Sequence, residues 1–583
     1  VEGEARVLID PNTLSEDGTI ALSYLDYSPD GNFVAYSLTK SGSDWQTFYV
    51  RNVDTGEDFE DKLEWVKFIL PAWTGDSRGF FYGRYDAPTE GDEYEEQVRG
   101  MRLFYHEVGT PQAKDVLIYK RSEDAEIGFE PFVTDDGRYL VVRVWKGSAR
   151  KYEIAIADLR GDDWTPEILF GGFEARYEFL GGKGDELYFL TDRDAPNMKL
   201  IAVDATNEEP APREIVSETV NVIKKADYVG GQFLVEHLVD ATSRLTLYGP
   251  DGGTPRAIEL PALGTVRKIY GSANSTHFVY SFMSFTYPLT LYSCDLATGK
   301  SRVFKKSDVD IDPSSFVISQ EFYESKDGTR VPLFIVHRKD IARDGTNPTY
   351  LHGYGGFSTT QTPSFSTSRL AWVEMGGVFA LACLRGGGEY GRAWHEAGML
   401  DKKQNTFDDF IAAGEHLIRE GYTSTPKLAI GGGSNGGLLA AVCAIQRPDL
   451  FRASLIAVGV LDMLRFQKFT IGWAWTSDYG SAEIPEQFPA LYAYSPLHNL
   501  VKGTHYPSLF ITTGDHDDRV VPSHSFKFAA AAQEAQGGEN PILIRIERDA
   551  GHGRGKPTSK VIDEIGDTWA FLLYELGEKG DGI

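Results

Sequence analysis

The stretch that decides the fold reads Leu428-Ala429-Ile430-Gly431-Gly432-Gly433-Ser434-Asn435-Gly436-Gly437. An apolar run ends in small residues, and a serine then lies between glycines at the start of a helix-forming run. The pattern Gly432-x-Ser434-x-Gly436 is typical of a nucleophile elbow, a sharp turn between a strand and a helix that exposes a serine hydroxyl. In such a turn the backbone N–H of Asn435 points to the place where an oxyanion would form.

Strand-like and helix-like segments alternate around this turn from Pro313 onward. The predicted strands are 331–337, 349–352, 378–384, 427–431, 453–460, 508–513 and 542–547. The predicted helices are 407–420, 436–445, 523–536 and 559–574. This alternation predicts a doubly wound, mostly parallel sheet covered by helices.

Two polar residues follow the serine at loop positions. Asp517 lies 83 residues after Ser434, just beyond a predicted strand, and His552 lies a further 35 residues along in Gly551-His552-Gly553. The chain order serine, aspartate, histidine, with each residue on a loop after a strand, is that of α/β-hydrolases. We therefore predict a serine nucleophile with an aspartate–histidine pair.

Two other interpretations of these segments are weaker. Gly431, Gly433 and Gly436 also satisfy a dinucleotide-binding pattern, which explains neither the central serine nor the residues downstream. The run 515–518, Asp-His-Asp-Asp, could hold a metal. Adjacent loop residues rarely converge on one ion, however, and no distant histidine or cysteine set completes a site. We expect no metal and no cofactor.

The first 310 or so residues have a different rhythm, that of short strands and polar turns. Turn marks that contain aspartate recur at Asp54, Asp158, Asp204, Asp251 and Asp295. The first two marks are 104 residues apart, with Gly109-Thr110 near the middle, and the later intervals are 46, 47 and 44 residues. Periods near 45 to 50 match the four-stranded blades of a β-propeller, whereas a β-sandwich array would be less even. About six blades are visible.

Composition limits the possible partners. The chain has 583 residues and a formal net charge of -27, which disfavours binding to nucleic acid or to anionic lipid. No apolar run approaches the roughly 18 residues of a membrane span. Three cysteines cannot form a disulfide framework, which fits a cytoplasmic protein without excluding a periplasmic or secreted one.

The sequence resembles the prolyl oligopeptidase family of serine peptidases. The motifs that carry the resemblance are Tyr354-Gly355-Gly356-Phe357, Arg385-Gly386-Gly387-Gly388-Glu389-Tyr390-Gly391, Gly432-Gly433-Ser434-Asn435-Gly436-Gly437, Asp515-His516-Asp517-Asp518-Arg519-Val520-Val521 and Ala550-Gly551-His552-Gly553. The resemblance implies a seven-bladed β-propeller over residues 1–312 that caps an α/β-hydrolase domain over 313–583. In this family a first hydrolase segment precedes the propeller; here we expect that segment and part of a first blade to be absent.

The resemblance also implies roles for individual residues. Ser434 would be the nucleophile, His552 the base and Asp517 the residue that orients it, with Tyr354 and the Asn435 N–H as oxyanion donors. Trp475 would stack on a substrate proline, and Arg519 would donate to a substrate carbonyl; its alternative is an ion pair with the nearby aspartates. The residues that would line the same apolar pocket are Phe357, Val460, Ile471, Tyr479 and Val520.

The function implied is hydrolysis on the carboxyl side of proline in short peptides, by a monomer whose propeller excludes folded proteins. Sister oligopeptidases of other specificity remain open, although a pocket for basic residues needs carboxylates and 471–479 contains only Asp478. Peptide macrocyclisation is a variant in which an amine replaces water. A lipase or esterase would need no cap built of repeats. The non-enzymatic alternative is an inactive propeller scaffold.

Overall fold

A computed structural model describes residues 5–207, 211–253, 255–553 and 555–577. In these ranges the chain forms six four-stranded antiparallel sheets, followed by one sheet of eight strands. The last strand of the sixth small sheet ends at Lys306, and the first strand of the large sheet begins at Phe316.

Each small sheet is a meander of four consecutive strands. The first contains β1 Ile20–Tyr27, β2 Phe33–Lys40, β3 Gln46–Asn52 and β4 Leu63–Val66; the second contains β5 Ala72–Trp73, β6 Gly79–Arg84, β7 Arg102–Glu107 and β8 Val116–Tyr119. The third contains β9 Ile127–Val133, β10 Tyr139–Lys146, β11 Tyr152–Asp158 and β12 Glu167–Ala175; the fourth contains β13 Tyr177–Lys183, β14 Glu186–Thr191, β15 Lys199–Asp204 and β16 Arg213–Val216. The fifth contains β17 Val222–Val229, β18 Gln232–Val239, β19 Thr242–Tyr248 and β20 Arg256–Ile258; the sixth contains β21 Thr265–Tyr270, β22 His277–Met283, β23 Thr290–Asp295 and β24 Ser301–Lys306.

These sheets are the blades of the predicted β-propeller, but their number differs from the seven that the resemblance implies. Six blades lie in the described residues, which is the count that the spacing of the aspartate marks indicates. The first blade is not incomplete, because β1 pairs with β2, β2 with β3 and β3 with β4. Apolar side chains of neighbouring sheets pack into shared clusters, such as the one that joins Phe80, Phe129 and Leu140.

The large sheet is that of the α/β-hydrolase domain. Its strands are β25 Phe316–Glu324, β26 Arg330–Arg338, β27 Thr349–His352, β28 Val378–Ala382, β29 Leu428–Gly433, β30 Ala453–Ala457, β31 Ser508–Gly514 and β32 Ile542–Glu547. They are arranged in the order β25-β26-β28-β27-β29-β30-β31-β32. The first two pairings are antiparallel, and every pairing from β28 to β32 is parallel.

Helices cover this sheet: α1 Thr367–Glu374, α2 Gly391–Glu396, α3 Gln404–Arg419, α4 Asn435–Gln446, α5 Thr476–Tyr479, α6 Phe488–Tyr494, α7 Ser523–Ala535 and α8 Thr558–Glu575. One apolar core contains residues of α3, α4 and α7, and a second contains residues of α1 and α8. Of the helices in the described part of the chain, none has the length and apolarity needed to cross a bilayer.

Candidate active site

Ser434 occupies the turn between β29 and α4 in a strained conformation. Its φ is 60° and its ψ is -118°, a combination that a residue with a side chain seldom adopts. The turn can close because its neighbours are glycines: a Cβ on Gly432 would lie 2.6 Å from the Gly436 carbonyl oxygen. The chain therefore reverses sharply and presents the Ser434 side chain at the carboxyl end of the sheet, beside the N-terminus of α4.

Asp517 and His552 meet at the same edge of the sheet, on the loops that follow β31 and β32. His552 Nδ1 lies 2.7 Å from Asp517 Oδ2. The other carboxylate oxygen of Asp517 accepts hydrogen bonds from the backbone N–H groups of Arg519 and Val520, at 3.0 and 2.8 Å. These bonds fix the carboxylate and orient the imidazole through Nδ1, which leaves Nε2 as the nitrogen that can exchange a proton.

The neighbours of Asp517 do not converge on a common point. Asp515 contacts His516, while Asp518 turns to the propeller, where its carboxylate lies 2.7 Å from the buried Nζ of Lys67. Ser43 and the backbone N–H of Asp44 also donate to Asp518. This divergence does not fit the metal-site interpretation of 515–518.

Tyr354 lies in a loop after β27 that is fixed by several side chains. The Asn435 side-chain amide donates to the Tyr354 carbonyl, and Lys403 Nζ donates to the Gly355 carbonyl at 2.7 Å. Asp478 accepts from the Phe357 N–H at 3.1 Å. Burial raises the pKa of the Tyr354 phenol, and the nearby Ser434 side chain acts in the opposite sense. The phenol therefore remains a proton donor at neutral pH, close to the Ser434 hydroxyl.

The predicted pocket residues separate into two groups. Phe357, Ile471, Trp475 and Arg519 line a cavity of 390 Å³ between the two domains. Val460, Tyr479 and Val520 do not line it; they are buried in the hydrolase core, against which Phe357 and Trp475 pack. The Trp475 ring lies parallel to Phe466, with centroids 6.2 Å apart, and the Phe357 ring contacts Tyr479 edge-on at 5.2 Å. The second group therefore supports the walls that the first group forms.

Arg519 forms its ion pair with a residue of the propeller and not with the aspartates beside it in sequence. Its guanidinium donates to Asp44, in the turn between β2 and β3. Burial lowers the pKa of Arg519, but the hydrogen bonds to Asp44 outweigh this effect, so the pKa lies above its ordinary value. The propeller thus holds one of the predicted substrate-binding groups in position.

Three polar residues hold the loop at 354–357 in ways that the sequence does not predict. Arg150, in the turn between β10 and β11 of the propeller, donates to the Phe357 carbonyl at 3.0 Å. Asp478 is bound by Phe357 N–H and by His395 Nε2 at 2.8 Å, and Lys403 lies below the Tyr354 loop. The contact between Arg150 and Phe357 joins residues 207 positions apart, which no local pattern reveals.

Models of known families match the chain in two blocks. Residues 1–307 match the N-terminal β-propeller domain of prolyl oligopeptidase, and residues 363–579 match the prolyl oligopeptidase family. A prolyl endopeptidase of Elizabethkingia miricola is 41% identical over 580 residues, which span 99% of this chain and 82% of that protein. The chain belongs to the prolyl oligopeptidase family. The resemblance inferred from the five motifs is confirmed.

Solved structures of the prolyl oligopeptidase family match the whole fold. One, from a study of two prolyl endopeptidases and the role of inter-domain dynamics, superposes with a TM-score of 0.95 at 40% identity and covers 99% of this chain and 85% of its own. Another is prolyl oligopeptidase B of Galerina marginata bound to a 25-residue macrocyclization substrate. It has a TM-score of 0.93 at 34% identity, with 98% and 82% of the two chains covered.

Proposed function

We propose that this chain is a serine endopeptidase that hydrolyses the peptide bond on the carboxyl side of proline in short peptides. One observation carries the proposal: the Asp517–His552 pair lies at the edge of the sheet where the strained turn presents Ser434. Family membership and the aromatic cavity beside this edge support the choice of substrate.

The reaction follows the acyl-enzyme route. Ser434 Oγ attacks the proline carbonyl carbon while His552 Nε2 takes the hydroxyl proton. The Asn435 N–H and the Tyr354 phenol stabilise the oxyanion. His552 then gives its proton to the leaving amine, the peptide bond breaks, and water attacks the acyl-enzyme by the same route in reverse.

The proline ring would stack on Trp475 in the 390 Å³ cavity, since a flat indole suits a flat pyrrolidine ring. Specificity for basic residues is disfavoured because Glu130, in the wall of this cavity, is paired with Arg143. Asp478, the only carboxylate in 471–479, does not line the cavity and binds Phe357 N–H and His395 through one oxygen. Macrocyclisation stays open as a second outcome of the same acyl-enzyme, because a relative from Galerina marginata is described with a macrocyclization substrate. In that reaction the peptide's own amine attacks in place of water.

The propeller would act as a lid over this site, with six blades in the described residues and seven in the family arrangement. We also propose that the protein is a monomer. A cytoplasmic location is supported by three buried cysteines that form no disulfide in the described residues. Short proline-containing peptides are the partners that the cavity favours.

Hydrolysis of an N-blocked Gly-Pro chromogenic amide tests the proposal, with Ser434→Ala as the control. We expect release of the chromophore by the wild type and a loss of at least about 10³-fold in the variant. A folded wild type that cleaves an Arg amide or an unblocked Gly-Pro amide in preference would contradict the endo-acting, post-proline specificity. Equal rates in wild type and variant would exclude Ser434 as the nucleophile.

A further inference from the structure

A second cavity, of 560 Å³, lies beside the predicted substrate cavity. Its walls come from the third to fifth propeller sheets and from the hydrolase segments 358–360, 388–399 and 477–478. The two cavities share Ser148, Ala149 and Arg150 as wall residues. The second cavity therefore adjoins the proposed proline site, and its volume suits a peptide side chain or terminus.

The charge of this second cavity is opposite to that of the protein. Five basic side chains line it, against three carboxylates, although the whole chain carries a net charge of -27. The basic residues are Arg150, Lys151, Arg176, Lys224 and Arg392.

Three of these cations are already paired. Arg176 binds Glu178, Lys224 lies 3.1 Å from Glu236, and Arg392 contacts Asp192. Arg150 and Lys151 form no ion pair among the described residues. The excess positive charge of the cavity therefore lies on these two side chains.

Arg150 is the better placed of the two to bind a ligand. Lys151 is exposed, whereas Arg150 is half-buried and lines both cavities. Its single hydrogen bond in the described structure uses Nε, which donates to the Phe357 carbonyl at 3.0 Å. Neither Nη atom has an acceptor among the residues that the structure describes. Burial, reinforced by repulsion from Arg176, lowers the pKa of Arg150, so the guanidinium is held where its charge is costly.

A bound carboxylate would stabilise the buried charge of the Arg150 guanidinium. A guanidinium presents two parallel N–H groups that match the two oxygens of a carboxylate, and such charge-assisted bonds are strongest away from bulk water. We infer that the second cavity is a subsite for a carboxylate of the peptide substrate, bound by the Nη atoms of Arg150. The carboxylate would belong to an acidic side chain near the proline or to the peptide C-terminus. This inference rests on the proposed peptidase function.

Matched peptides test the subsite. We would measure kcat/KM for internally quenched, otherwise uncharged peptides with one proline, in which Glu replaces Gln at each of three positions on either side. A second pair differs only in a free or amidated C-terminus, which separates the two sources of the carboxylate. For the wild type we expect a preference of about tenfold or more for the acidic member at one position or at the terminus.

Variants separate a site from general attraction. Arg150→Met should reduce the acidic preference to about twofold or less, and Arg150→Lys should keep part of it, while Lys151→Met should leave most of it. The ratio of Glu to Gln peptides isolates the carboxylate contact from any disturbance of the Phe357 loop. A wild-type preference below twofold in every pair would overturn the inference. The inference would also be overturned if the preference for Glu over Gln were similar at all positions and both Lys151→Met and Arg150→Met lowered it equally.

Binding distinguishes failure of the subsite from failure of the proposed reaction. If the wild type cleaves none of the peptides, the proposed function fails, and the dissociation constants of the same Glu and Gln pairs for Ser434→Ala still test the subsite. Tighter binding of one acidic member, lost in the double variant with Arg150→Met, would support it. Equal binding of all pairs would overturn it.

Discussion

Asp44 of the first propeller sheet holds Arg519 of the hydrolase domain through two hydrogen bonds, from Nε at 2.8 Å and from Nη2 at 2.5 Å. Burial would raise the pKa of the Asp44 carboxyl, but Arg519 outweighs this effect and the pKa lies below its ordinary value. The pair spans the domain interface two residues from Asp517. The position of the Arg519 guanidinium therefore depends on the contact of the propeller with the hydrolase domain.

Asp44→Asn should weaken substrate binding more than it slows the reaction. The variant keeps the shape of the side chain but removes the charge that fixes the guanidinium. We expect KM for a proline peptide to rise about five- to tenfold, with kcat changed less than about twofold. Asp58→Asn is the control, since Asp58 is a more exposed carboxylate than Asp44 and pairs with Arg51 inside the propeller. Equal KM values for both variants would contradict a special role for Asp44.

Tyr354→Phe should slow turnover without a matching loss of binding. Removal of one oxyanion donor typically lowers kcat about 10²–10³-fold, because the bond forms fully only in the transition state. Tyr350→Phe provides a control in the strand just before this loop, where the phenol contacts His352 at 3.1 Å. Steady-state kinetics on one proline substrate would separate kcat from KM. An unchanged kcat in Tyr354→Phe would remove the phenol from the reaction.

The elements that the sequence predicted best are those whose signal is local. The elbow around Ser434 follows from glycine spacing, and the predicted strand 349–352 has the observed bounds because a short apolar run has clear ends. The sequence does not predict contacts between the propeller and the hydrolase domain, because the residues that meet there are far apart in the chain. For Arg519 the sequence predicts a contact with a substrate carbonyl and, as the alternative, an ion pair with the nearby aspartates, but neither indicates Asp44, which lies 475 positions away. Val460 and Tyr479 were expected in the pocket wall, but an apolar residue in a motif does not reveal whether it faces a ligand or the core.

Glu389→Gln should stabilise the protein increasingly as the pH rises from 5 to 8. One carboxylate oxygen of Glu389 accepts from the Gln361 N–H at 2.6 Å, and the other has no partner in the described structure. Burial raises the pKa from 4.5 to about 8. The folded state therefore binds the extra proton between these values, and wild-type stability falls as the pH rises through that window.

The size of this effect is at most about 4 kcal/mol, which thermal melts at pH 5 and pH 8 would resolve. The Gln variant lacks the ionisation, so its Tm should exceed that of the wild type at pH 8 and approach it at pH 5. Glu90→Gln, at an exposed position, is the control and should show no such trend. A difference in Tm that is the same at both pH values would show that Glu389 is not held neutral.

Lys403→Met should become more destabilising as the pH rises from 8 to 10.5. Burial lowers the pKa of Lys403 from 10.5 to about 8, although Asp478 opposes the shift. Between pH 8 and pH 10.5 Lys403 is protonated in the unfolded chain but not in the folded protein. The free energy of unfolding of the wild type therefore rises with pH in this range, by up to about 3 kcal/mol. The Tm of the variant should therefore fall relative to wild type between pH 7.5 and pH 10. Lys402→Met, next to it but exposed, should follow the wild type. Parallel Tm curves for Lys403→Met and wild type would mean that Lys403 keeps its charge beneath the Tyr354 loop.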